Sequence, residues 1–515
     1  MIYRDYVTTG GTFAQVLLIA VLAVPALGAV AVALLPARID RGARILATVF
    51  AAVTFVLTAL LALPSVRGSG WAAFGVEQPR LLPWTDVNVS WVPALGVDFH
   101  LGVDAISYPL VVLTGLLTAL CCAYTVWKVP EGGRGRTLAA LLLVLEVGIL
   151  GTFLALDLVL FFVFFEVVLL PMYAVIVGWG GPDRRRAARK FVLYTLFGSV
   201  LLLLGVFTVV VAAGTGDLMT LTGGAGLSRT VQYTAFALFA VAFAVKAPLW
   251  PLHTWLPAAH TEAPTVGSVI LAGVLLKMGT YGLIRVGVGV APLGAAWAAP
   301  VLGILAAAAI IIGSLVCLRQ TDLKRLIAYS SVGHMGFVLL GIATLTVTGL
   351  QAALIGNVAH GIITGLLFFL AGAIKDRGHT GSLADLGGLR ETAPRLAGLL
   401  GFAAIASLGL PGLAGFWGEA FAVVAATERG GPLWITLAAL AAIGGALTAA
   451  YFLRLLRRVT HGPATPAVAG FAPISRPEWL AWSPLILLAL AVGLVPALVL
   501  AATSDPVAAL TGALP

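Results

Sequence analysis

The chain has 515 residues, 60% of them hydrophobic and 10% charged, with a formal charge of +9. That balance excludes a water-soluble globule, and it leaves no length for soluble domains once about 20 apolar residues are assigned to each bilayer crossing. Basic residues in such a chain report orientation rather than a nucleic-acid partner, and Cys121, Cys122 and Cys317 stand at no cluster or zinc spacing, which argues against a metal or disulfide framework.

Taken in chain order, fourteen apolar runs bounded by Gly, Pro or charge predict an all-α polytopic membrane protein. The first, 12–35, follows "MIYRDYVTTGG", which lacks the charge pattern and cleavage site of a signal peptide, so it reads as a retained span. The second is 45–63. Before the third, 106–127, the alternating "VNVSWVPALGVDFHLGVDAIS" (87–107) predicts a short external hairpin. Runs 138–156, 158–179, 191–213, 231–250 and 265–288 follow, then 297–316, 323–340, 348–374, 396–424 and 433–456, and last 482–502. Four regions result: an N-terminal three-span region with the hairpin (1–137), two groups of five spans (138–288 and 289–456), and a C-terminal link with the last span (457–515).

Numbering the links alternately puts 22 basic residues on one side, among them Arg184, Arg185, Arg186, Arg189, Lys190, Arg457 and Arg458. The other side holds six: Arg4, Arg67, Arg80, Arg229, Arg285 and Arg429. By the positive-inside rule the first side is cytoplasmic and both termini lie outside. An error of one span before the middle of the chain would have mixed the two sets.

Four ionisable residues fall inside apolar runs: Glu166, Lys246, Lys277 and Glu419. Each central charge costs ~2.5 to 3.5 kcal/mol on insertion scales, so they need water, partners or a task. Bland readings exist for three of them: a neutral hydrogen-bonded acid for Glu166, a helix-locking ion pair for Lys277, and a stem that snorkels to the interface for Lys246. Pro248 and Pro251 break the seventh span just beyond Lys246, and broken helices at depth persist only beside protein or a wet cavity. A lysine there, with Glu166 as a carboxylate that can move away, is a switchable proton site. Leu410, Pro411 and Gly412 break the twelfth span before Glu419. The two breaks lie five spans apart, an odd number, so repeats over spans 4–8 and 9–13 would be inverted, an arrangement of secondary transporters.

Between the breaks lie Ser330, Ser331 and His334 on the tenth span, and Asn357, His360 and Thr364 at i, i+3 and i+7 on one face of the eleventh. Such a stripe either holds a water chain from Lys277 to Glu419 or only joins helices, and the histidines favour proton transfer because imidazole titrates near neutrality. Glu146, eleven residues before Asp157 and so on its face, is relay or structure. His253 and His260, beyond Lys246, are candidates for hydrogen bonds that order the broken loop.

"FFEVVLLPMYAVIVGWGG", "VKAPLWPLHTWLPAAHTEAPTVGSVILAGVLLKMGTYGLIR", "DLKRLIAYSSVGHMGF" and "GLPGLAGFWGE" resemble the antiporter-like proton-pumping subunits of respiratory complex I, the NADH:quinone oxidoreductase. The likeness runs through spans 4 to 12 and is greatest to the M-type subunits, because N- and L-type subunits usually carry lysine where this chain has Glu419. The resemblance implies Glu166 and Lys246 as a coupled input pair, Lys277 as central relay, Glu419 as exit-side or neighbour-facing proton site, and His334 and His360 on a hydrated axis. It further implies a bacterial cytoplasmic membrane, flanking N and L subunits as partners alongside lipid, no nucleic acid, and no cofactor in this chain. FMN, iron–sulfur clusters, NADH and quinone belong to other subunits. Ala258 departs from the pattern, where aspartate is expected, and touches no proposed proton site. Alternatives are a subunit of a multisubunit cation/proton antiporter or membrane-bound hydrogenase and, from another class, a haem carrier using His334 and His360 as axial ligands.

Overall fold

The computed structural model describes residues 11–63, 66, 82–512 and 514; Arg4, Arg67 and Arg80 of the charge tally, and the segment ahead of the first span, lie outside the described residues. In lipid, backbone N–H and C=O groups can be satisfied only within the segment, so the apolar runs become helices. Among the described residues, twelve are long and apolar enough to cross a bilayer. The two expected spans missing from that set are the interrupted ones. The seventh consists of helix Arg229–Lys246, a break, and helix Trp255–Glu262. The twelfth consists of Pro394–Ser407, a break, and Gly415–Arg429.

The last span differs from the expected 482–502. Helix Arg476–Leu494 stops at Val495, and a separate helix, Ala497–Gly512, follows. Pro496 is the cause: a residue before proline is pushed out of the α region, and Val495 sits at φ −130°, ψ 72°.

The two five-span groups, 4–8 and 9–13, carry the same backbone hook. Leu158 N donates to Gly216 O and Leu218 N to Leu156 O; in the second group Leu323 N donates to Gly381 O and Leu383 N to Thr321 O, all at 2.8 Å. Every position shifts by the same 165 residues. Asp157 and Asp322, also equivalent, cap the helices that start there, Asp157 accepting from Val159 N and Leu160 N, and Asp322 from Arg325 N. Because the hooks begin the fifth and tenth spans, they lie at opposite ends of the bundle, which is the signature of an inverted repeat.

Contacts between links agree with this alternation. At one end Lys128 pairs with Asp376 (2.6 Å) and Arg377 with Glu478 (2.7 Å), and Lys324 Nζ donates to Ala263 O (3.0 Å). At the other, strands β1 (Thr85–Val92) and β2 (Val97–Val103) form an antiparallel hairpin that turns through Gly96 at φ 61°. His100 on β2 sits between Asp217 (2.9 Å) and Asp86 (3.2 Å). Burial opposes charge on this ring, but hydrogen bonds and charge from Asp217 and Asp86 outweigh it and raise its pKa to about 9. Beside it, Arg285 and Asp104 form a buried ion pair at 2.7 Å.

Spans 8 (Thr265–Val288), 10 (Leu323–Thr344) and 11 (Val347–Gly378) are innermost, with 100%, 89% and 94% of their most apolar stretch buried. They carry Lys277, His334 and His360 respectively.

Candidate functional site: a buried polar axis

Span 8 is not a regular α-helix. Residues Leu271–Leu275 and Leu283–Val288 wind as π-helix on either side of Leu276–Gly282, which holds Lys277. A π turn shifts backbone bonding by one residue and loosens a carbonyl from its usual partner. Lys277 uses that change: its Nζ donates to Ala272 O at 2.5 Å and approaches His360 Nδ1 at 2.6 Å. Lys277 is fully buried, and an ammonium at that depth is tolerable only when it is hydrogen-bonded.

With Lys277 protonated, His360 accepts at Nδ1, so its own proton sits on Nε2, which has no protein partner. The His360 and His334 rings stand 5.9 Å apart, edge to face. His334 Nδ1 lies 2.7 Å from Glu419 Oε1, and its Nε2 lies 2.9 Å from Ser407 Oγ. A cavity of about 30 Å³ opens among His334, His360, Thr364, Ser407 and Glu419. One water needs roughly 10–15 Å³ of such space, so two fit where the orphaned Nε2 needs a partner. A porphyrin does not fit, and the histidine nitrogens that have partners are bonded to Lys277, Glu419 and Ser407, which removes the haem reading. Asn357 and Thr364 share the His360 face as expected: Thr364 lines the cavity, and Asn357 Oδ1 accepts from Thr280 Oγ1 at 2.9 Å. Ser330 and Ser331 instead donate back to Ile327 O, at 2.8 and 3.3 Å.

Apart from that run, Lys246 closes the first segment of span 7. Ala247 leaves the helical region, and Pro248 and Pro251 lie in the break. Trp255 Nε1 recovers one freed carbonyl, Val245 O, at 2.9 Å, and Tyr194 Oη meets Thr254 Oγ1 at 2.8 Å. Lys246 makes no ion pair within 4.0 Å among the described residues; its Nζ lies 4.6 Å from the centroid of the Phe165 ring. The neighbouring Glu166 carboxylate accepts from the Ser199 hydroxyl. Lys246 and Glu166 are thus adjacent but separated.

In the twelfth span the break carries left-handed Gly409 (φ 79°) and Gly412 (φ 90°) around Pro411, conformations only glycine adopts without strain. The first segment ends at Ser407, Pro411 and Gly412 lie in the break, and Glu419 follows on the first turns of the second segment.

Two readings of the sequence need correction. Glu146 and Asp157 do not share a helix face, because helix Gly135–Leu154 ends before Asp157, which caps the next. Glu146 is fully buried with neither oxygen partnered. The rings of His253 and His260 do not order the loop by hydrogen bonds: His253 Nδ1 is unpartnered beside Tyr329, and His260 stacks on Phe368 at 4.4 Å with both nitrogens unpartnered. Ser199, Ser407, Thr280 and Phe165 escaped notice, because a lone hydroxyl or ring in an apolar run carries no spacing signal. Among the described residues no group of three or more His, Cys, Asp or Glu side chains is arranged to hold a metal ion.

The profile of the family described as "NADH:quinone oxidoreductase/Mrp antiporter, TM" matches residues 155–447, which span both hooks and every site residue except Glu146. NADH-quinone oxidoreductase subunit M of Rhodobacter capsulatus is 40% identical over 473 residues, 89% of this chain and 88% of that one. NAD(P)H-quinone oxidoreductase chain 4 1 of Synechococcus sp. (strain JA-3-3Ab) is 44% identical over 383 residues, 74% of this chain and 72% of that one. Among solved structures, a chain of respiratory complex I from Thermus thermophilus with bound NADH superposes with a TM-score of 0.84 at 30% identity, covering 97% of this chain and 100% of that chain. A chain of the Mrp complex from Dietzia sp. DQ12-45-1b reaches 0.83 at 24% identity over 97% and 98%, a likeness of fold alone. The inverted repeat, the two broken spans and these matches together establish that the chain belongs to the NADH:quinone oxidoreductase/Mrp antiporter transmembrane family.

Proposed function

We propose that this chain is the M-type, proton-translocating membrane subunit of an NADH:quinone oxidoreductase, a translocase driven by electron transfer in other subunits. NADH, FMN, iron–sulfur clusters and quinone act in those subunits; this chain moves protons. The observation that carries the reading is the run of polar contacts from Lys277 through His360 and His334 to Glu419, joined by a cavity of two-water size. Lys246 is the input site, with Glu166 as its switchable counter-charge, Lys277 the central relay and Glu419 the exit. Separating Glu166 from Lys246 leaves an ammonium without counter-charge, and in a low-dielectric interior such a cation holds its proton less tightly and can pass it toward the axis. His360 and His334 relay because each ring can hold a proton on either nitrogen. Glu146, buried and without a partner, is either a side relay or a structural group. The flanking N and L subunits receive or supply charge at the two ends, in a bacterial cytoplasmic membrane with both termini outside.

The test is NADH-driven acidification of vesicles holding the assembled complex. Lys246→Ala, Glu166→Gln and Glu419→Gln each lower proton translocation at least tenfold without loss of assembly; full translocation by either Lys246→Ala or Glu166→Gln overturns the assignment. Copurification of NADH-oxidising peripheral subunits separates this reading from a cation/proton antiporter or a membrane-bound hydrogenase.

A further inference from the structure

Four rings crowd the end of the seventh span where the lysine stops. Phe161 and Phe165 stack at 5.9 Å on one side, Phe239 and Phe243 at 6.2 Å on the other, and Phe165 meets Phe243 edge to face at 6.2 Å. Phe165 is therefore held on both flanks. Its remaining face carries the Lys246 ammonium, 4.6 Å from the centroid. A ring face attracts a cation most when both are desolvated, as they are here. The adjacent residue, Glu166, has its own partner in the Ser199 hydroxyl on span 6 (Arg184–Ala213). Gly198, next to Ser199, allows the close approach: a Cβ there would lie 3.2 Å from Ala242 O and 3.3 Å from Val245 Cβ.

We infer that Phe165 is a positioning residue for proton transfer: its ring and the Ser199 hydroxyl are the resting partners of Lys246 and Glu166 when that pair is apart. This rests on the reading of Lys246 and Glu166 as the switch. Phe165 and Glu166 are successive residues of one helix, so their side chains leave it about 100° apart. The four-carbon stem of Lys246 can carry its ammonium from ring to carboxylate by rotamer changes, with no helix displaced. Without the ring and the hydroxyl, separation would strand two buried charges, and the pair would stay shut. With them, separation exchanges one partner set for another, and the two states lie close enough for a modest external push to choose between them.

Removing the cation–ring attraction shifts this balance toward the shut pair by roughly 2- to 30-fold. The experiment uses the whole complex in vesicles, with a series of phenylalanines carrying one, two and three ring fluorines at position 165, which drain the ring face of negative charge while nearly preserving its shape. Protons moved per NADH oxidised fall stepwise along the series, and the pH profile of translocation shifts with them. Phe165→Tyr, which keeps the ring face, retains translocation; Phe165→Leu does not, and Ser199→Ala lowers it in the same direction. Should Phe165→Leu fail to assemble, the fluorinated series still decides. Translocation that is flat across the series while Lys246→Ala abolishes it overturns the role of Phe165 alone. Translocation surviving Lys246→Ala overturns the switch on which it rests.

Discussion

At the scale of single residues, the axis depends on imidazole nitrogens held by groups of opposite character. His334 bridges Glu419 and Ser407, and His360 takes Lys277 on one nitrogen while leaving the other to the cavity. His334→Ala breaks the run between His360 and Glu419, so NADH-driven translocation falls at least tenfold while electron transfer from NADH continues in uncoupled membranes. Ser407→Ala removes only a hydrogen bond to the ring; at roughly 1 kcal/mol its effect is several-fold at most, read in the same vesicle assay. The four charges and both histidines were legible in the sequence because an ionisable residue inside an apolar run is conspicuous. Their partners were not: Phe165 looks like any lipid-facing or core ring, and Ser199 like a small residue at a helix contact. Which of these touches a charge is decided by the packing of distant spans.

Elements place those residues by close backbone approach. Gly418, beside Glu419, lies against Gly356 of span 11; a Cβ on Gly418 would stand 2.6 Å from Gly356 Cα. Small residues at such a crossing are what let helices meet in lipid. Gly418→Val would push the second half of span 12 off span 11 and draw Glu419 away from His334. Translocation should then drop more steeply than thermal stability of the purified complex, both measured on the same preparation. Helix positions and the two breaks were readable from hydropathy and proline. The π turns flanking Lys277 were not, since "GSVILAGVLLKMGTYGLIR" has the composition of a plain helix and the extra residue per turn is absorbed by tertiary contacts. The pairing of Glu146 with Asp157 failed for a related reason: apolar residues continue across a helix end that only the hook at Leu158 creates.

For the molecule as a whole, the β1–β2 hairpin is tied down by His100 between Asp86 and Asp217. Its pKa, raised from 6.5 to about 9, means the imidazolium stabilises the fold fully below about pH 6.5 and less as pH climbs through 9, a span on the order of 3 kcal/mol. Melting of the purified protein should accordingly lose several degrees between pH 6.5 and 9.5, and His100→Gln should flatten that dependence; a slope unchanged in the variant removes the assignment. Orientation is open to direct measurement, because all three native cysteines are buried and silent to labels. Cysteines introduced at the exposed positions Arg458 and Glu131 should react with an impermeant reagent only from the cytoplasm, and those at the exposed positions Glu428 and Leu95 only from outside.

The paired hooks divide each half of the bundle into a clamped part and an arm. In each, backbone ladders fasten the second helix to the turn beyond the third, and the interrupted fourth helix begins past that fastening. The chain has thereby been supplied twice, head up and head down, with the same anchor and lever. One arm carries Lys246 at its broken tip and the other Glu419 just beyond its own gap, so the two buried charges sit on equivalent joints set at opposite ends of the bundle.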